Sequence, residues 1–121
     1  MSSHITVIKV FDQEAITQNT AESFIVDLSK FNCEGFFSMQ IEIAGAGTVD
    51  LIWAASNDGT NYITPTGTDD IASAFGATDG PGSDGKDIVS FDPLVCKYIK
   101  FTATEQNVGA VTSLSCHLAI Q

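Results

Sequence analysis

Phe36-Phe37-Ser38-Met39-Gln40-Ile41-Glu42-Ile43-Ala44-Gly45-Ala46-Gly47-Thr48-Val49-Asp50-Leu51-Ile52-Trp53-Ala54-Ala55 decides the fold class. Successive side chains of a strand point to opposite faces. Phe37, Met39, Ile41 and Ile43 therefore share one face, with Ser38, Gln40 and Glu42 on the other. After Gly45-Ala46-Gly47, the residues Val49, Leu51, Trp53 and Ala55 repeat the odd-numbered set. Read as a hairpin with a three-residue loop, the pair sets Ile41 opposite Leu51 and Met39 opposite Trp53, with both apolar sets on one face.

The same period continues outward. Val95, Ile99, Phe101 and Ala103 are odd, while Leu114, Cys116, Leu118 and Ile120 are even, so an even loop is needed to join their faces. Gln106-Asn107-Val108-Gly109 supplies one, setting Phe101 opposite Leu114 and sending Cys96 outward and Cys116 inward. Shorter strands are expected near 4–12, 23–29, 61–64 and 87–92, between Asp, Asn, Gly and Pro signals. Asp69-Asp70-Ile71-Ala72-Ser73-Ala74-Phe75 reads as one or two helical turns, with acidic residues at the start and Ile71 and Phe75 on one face. No segment carries a long 3.6-residue apolar stripe. These patterns predict an all-β antiparallel β-sandwich of seven or eight strands, jelly-roll-like, with one long irregular loop from Thr64 to about Asp87. An up-and-down barrel is the alternative.

The chain has 121 residues, 44% of them hydrophobic, enough for one domain (1–121) with one core. Residues 1–20 read either as an N-terminal arm packing on a neighbour or as an ordinary edge strand. Five lysines and no arginine stand against 15 acidic residues, for a net charge of −10. That balance argues against nucleic acid, whose binding draws on neutralised phosphates and arginine forks, and against an anionic membrane surface. It also suits electrostatic docking onto a basic partner. Met1-Ser2-Ser3-His4 has no basic n-region, and the run Leu51 to Ala55 is too short for a signal or a span, so cytoplasmic synthesis without a signal peptide is expected. Cys33, Cys96 and Cys116 are odd in number, without C-x-x-C spacing, and read as free thiols.

Few residues suggest chemistry. Gly80-Pro81-Gly82-Ser83-Asp84-Gly85 matches G-x-G-x-x-G, but Pro81 and the lack of a following helix remove the phosphate-binding context. Asp69, Asp70, Asp79, Asp84 and Asp87 could offer oxygen ligands to Ca2+, without EF-hand spacing; the plain reading is a solvated loop and no cofactor. His4 and His117 are the only histidines. His117 falls on the outer face of the last strand beside Ser113 and Ser115, with no orienting carboxylate or oxyanion hole to complete a triad. Zinc spacing, H-E-x-x-H and G-x-S-x-G are all missing. The expectation is a chain that is not an enzyme. Trp53 alternates with Leu51 and belongs in the core, whereas Tyr98, on the outer face between Cys96 and Lys100, is a candidate interface anchor. Tyr62, beside Asn57, Asp58 and Asn61, would be the hinge of any glycan-binding rim.

Ser56-Asn57-Asp58-Gly59-Thr60-Asn61-Tyr62 follows the strand Gly47-Thr48-Val49-Asp50-Leu51-Ile52-Trp53 and precedes Pro93-Leu94-Val95-Cys96-Lys97-Tyr98-Ile99-Lys100-Phe101. In that order, across about 36 to 121, the chain resembles small phage and prophage virion structural proteins. The resemblance implies a virion β-sandwich, either a capsid decoration protein or a tail or baseplate accessory protein. It implies a homo-oligomer bound to a capsid or tail protein, a trimer in the decoration case. The 64–86 insertion and the acidity depart from many such chains. Interface residues expected on this reading are Tyr98, Val108, Tyr62, Asn57 and Asp58, and a carbohydrate-binding module is the competing class.

Overall fold

The structure is a computed structural model that describes residues 5–17, 21–31, 35–66, 70–92, 95–105 and 111–121. Eight strands follow in order: β1 Thr6–Thr17, β2 Ala21–Asp27, β3 Phe37–Gly45, β4 Thr48–Ser56, β5 Ala72–Gly76, β6 Lys86–Phe91, β7 Tyr98–Glu105 and β8 Val111–Ile120. They form two four-stranded sheets of order β1-β8-β3-β6 and β2-β7-β4-β5, antiparallel throughout. This is the eight-stranded jelly roll, an all-β sandwich.

The alternation places side chains as expected, except that Val95, grouped with the inward odd set, lies before β7 begins and is 97% exposed. Phe37, Met39, Ile41 and Ile43 of β3, Val49, Leu51, Trp53 and Ala55 of β4, Ile99, Phe101 and Ala103 of β7, and Leu114, Cys116, Leu118 and Ile120 of β8 are all buried in one core. The pairing differs. β3 and β4 lie in opposite sheets, and Ile41 pairs with Cys116 and Asp87 while Leu51 pairs with Ala103 and Ala72. Gly45-Ala46-Gly47 is an arch across the sandwich, so the two apolar sets meet face to face through the core. β7 and β8 are likewise split. Phe101 pairs with Trp53 and Phe24, and Leu114 with Ile43 and Glu14.

Two local expectations are corrected. Residues 72–76, read as helical turns, form β5 at the edge of the second sheet, because hydrogen bonding to β4 at Val49 and Leu51 outweighs a weak helical preference. β5 also interrupts the long loop. Residues 61–64 make a single bridge, Ala55 with Ile63, and not a strand. Thr6–Thr17 is an edge strand on β8, bent by register shifts between Lys9 and Glu14 and by Gln13 at φ 50°. Bulges of this kind blunt an edge against stray pairing.

Antiparallel strands put alternate ends together. At one end sit the β3–β4 arch and the 79–85 turn. At the other sit the 56–66 segment, the approach to β7, the starts of β1 and β3 and the C-terminal Gln121, which exchanges two backbone hydrogen bonds with Phe36 (3.2 and 2.9 Å).

Candidate functional site

The second end is where the singled-out residues gather. β4 finishes at Ser56, whose hydroxyl donates to Asp58 Oδ1 and accepts from Gly59 N, both at 2.9 Å. Asp58 then organises the loop. Its Oδ1 accepts the backbone N–H groups of Thr60 and Asn61, and its Oδ2 accepts Asn61 Nδ2, each at 2.9 Å. These donors, the Asn61 backbone N–H first, hold the Asp58 carboxyl well below its ordinary value of 3.8. Gly59 supplies the left-handed turn (φ 76°) and packs so closely on Tyr98 that a Cβ there would lie 3.1 Å from the ring.

Asn57 couples this loop to the next strand, its Oδ1 accepting Lys97 N at 3.0 Å. Lys97 O in turn accepts Leu28 N at 2.8 Å. Two half-buried tyrosines flank the joint on the outer face of the second sheet. The Lys100 ammonium lies 4.6 Å from the Tyr62 ring centroid, and the Lys97 ammonium 5.3 Å from that of Tyr98. The loop also borders an open cleft of about 500 Å³, whose apolar wall is Ala55, Ile63, Pro65 and Cys96.

Asn57, Asp58, Tyr62 and Tyr98 are thus brought together, whereas Val108 lies outside the described residues. Sequence reasoning missed that Lys97 and Lys100 set their ammonium groups against the two tyrosine rings, in a chain of net charge −10. It also missed the exposed apolar side chains at the same end, Ile5, Phe36, Ile63 and Val95, the last 97% exposed. Phe36 carried a signal, since it sits on the polar-parity side of the strand it opens. Each tyrosine already carries a lysine ammonium against its ring.

The remaining candidates stand apart from this end loop. Among the described residues no three His, Cys, Asp or Glu side chains converge as a metal site. Asp79 Oδ2 accepts Gly76 N (2.8 Å), Asp87 Oδ1 accepts Ile88 N (2.8 Å), and Asp69 lies outside the described residues. The 80–85 glycine motif is a turn closed by Gly85 N to Asp79 O at 2.9 Å and leads into β6. Ser115 Oγ accepts Gln13 N at 2.9 Å, and His117 Nδ1 is buried with no hydrogen-bond partner among the described residues. Cys96 and Cys116 are not joined in a disulfide among the described residues; Cys33 and His4 lie outside them. No family model, curated protein or solved structure matches the chain.

Proposed function

We propose that the chain is a non-enzymatic virion structural protein, a capsid decoration protein acting as a homo-oligomer, attached to the shell by the end of the sandwich that carries Tyr62, Tyr98 and the 56–62 loop. The observation that carries this reading is that Ile5, Phe36, Ile63 and Val95, each at least 63% exposed, all fall at the end of the sandwich that also carries Tyr62 and Tyr98. Isolated exposed apolar residues are ordinary, but several gathered with aromatic anchors mark a surface meant to be covered. Jelly rolls serve in viral capsid and lectin domains, which supports the setting without choosing the function. The Asp58 network keeps the 56–62 loop in one conformation, lowering the ordering cost of docking.

The test is attachment of purified chain to particles released by cells that make it, after the native copies are stripped off. Ile63→Asp and Val95→Asp should abolish cosedimentation while the strand-type circular dichroism is unchanged. Attachment that survives both substitutions would contradict the reading.

A further inference from the structure

The two lateral sides of the sandwich at the docking end carry opposite charge. On the β5–β6 side, a cleft of about 250 Å³ opens between the start of β5 and the end of β6. Trp53 and Phe91, with ring centroids 6.2 Å apart, form its floor, Ile71 and Val89 its walls, and Asp70 and Asp92 its mouth. Neither carboxylate makes a hydrogen bond or ion pair with a described residue, unlike Asp27, Asp50, Asp58, Asp79 and Asp87, each of which caps a backbone N–H. On the opposite side, beside β2, sit the exposed Lys30 and Lys97. Lys9 and Lys86 lie 3.9 Å from Asp12 and Glu42, whereas Lys30 and Lys97 have no carboxylate within salt-bridge distance among the described residues. Both act electrostatically on Asp27, whose carboxylate is held by Ser29 N and Oγ.

We infer that the Trp53–Phe91 cleft of one copy receives a lysine side chain, Lys30 or Lys97, from the β2 side of a second copy, joining the chains head to tail. An acid-rimmed aromatic cleft fits an ammonium on an alkyl stem: carboxylates pair the charge, the rings favour it electrostatically, and the apolar walls cover the methylenes. Because cleft and lysines use different surfaces, the contact is heterologous and closes into a ring when the rotation allows. Both lie at the same end of the strands, so every copy in such a ring turns its Ile63 and Val95 end the same way, toward one surface. The inference rests on reading the chain as an assembly component, but not on which particle it joins.

Sedimentation velocity on the full chain tests it. Wild type should form an oligomer that weakens with salt. Asp70→Lys with Asp92→Lys, and separately Lys30→Glu with Lys97→Glu, should each weaken association by about tenfold or more. Combining all four substitutions in one chain should restore assembly, which a merely misfolded variant would not do. An oligomer insensitive to either pair overturns this contact and leaves the assembly reading standing. A wild-type monomer at every concentration overturns the contact, as does a monomer that instead captures a lysine-rich peptide; particle attachment by such a monomer would preserve the virion reading.

Discussion

The Thr112 hydroxyl donates to the Glu105 carboxylate at 2.5 Å inside the sandwich, with neither residue more than 1% exposed. Glu105 ends β7 and Thr112 lies at the start of β8, so this polar contact ties two strands of opposite sheets at the end away from the proposed docking surface. It also explains Gly47. A Cβ at that position would overlap Glu105 Oε2 and Thr112 Oγ1, so the arch between β3 and β4 closes over the pair only with glycine.

Gly47→Ala should therefore destabilise the fold by about 1 to 3 kcal/mol, because a methyl group is forced into filled space. Equilibrium urea unfolding measures this. An unchanged midpoint would mean that the arch does not sit on the carboxylate.

Leu51 is fully buried on β4, facing the first sheet across the core. Leu51→Ala should cost about 2 to 5 kcal/mol, as the cavity left behind adds to the lost transfer energy. A loss below about 0.5 kcal/mol, the range of surface substitutions, would remove Leu51 from the core.

The Asp58 carboxyl should remain ionised as the pH falls through its ordinary value of 3.8, since four hydrogen bonds, from the backbone N–H groups of Asn61 and Thr60 and the side chains of Asn61 and Ser56, favour the anion and burial opposes it only weakly. A depressed folded-state value means that the carboxylate's contribution is complete above the unfolded value and is lost only as the pH drops below it toward the folded one. Carboxyl carbon NMR titration follows this directly. A midpoint at 3.8 would show that the Ser56–Asn61 network is not formed. Asp58→Asn should abolish the low-pH transition of the loop and weaken particle attachment.

Burial pushes the Cys116 thiol up to about 12, and its side chain is inaccessible in the core. Alkylation of the native protein should leave Cys116 unmodified, while denaturing, non-reducing alkylation should add three labels. A count of one would reveal a disulfide.

Residue faces were legible in the sequence and strand partners were not. A period of two says which side of a strand is apolar, and that property is satisfied equally when β3 and β4 are neighbours in one sheet or stand opposite each other across the core. The buried carboxylate on β7 held the missing information: Glu105 has inward parity next to Ala103, and Gly47 is the residue that leaves room for it. β5 was hidden because Ala72-Ser73-Ala74 has little strand preference and Ala74 adopts φ 48°; pairing with β4 creates it. Asn57, Asp58, Tyr62 and Tyr98 were readable from turn chemistry and outward parity. Lys97 and Lys100 beside them, and the Asp70–Asp92 cleft, were not, because they depend on which connections meet at one end of the sandwich.

The most direct measurement is quantitative mass spectrometry of density-purified particles from cells that make the chain. The chain should be present at a fixed ratio to the major shell protein, retained through the gradient and released when salt is raised. Particles devoid of the chain, with all of it recovered as free protein, would contradict the virion reading.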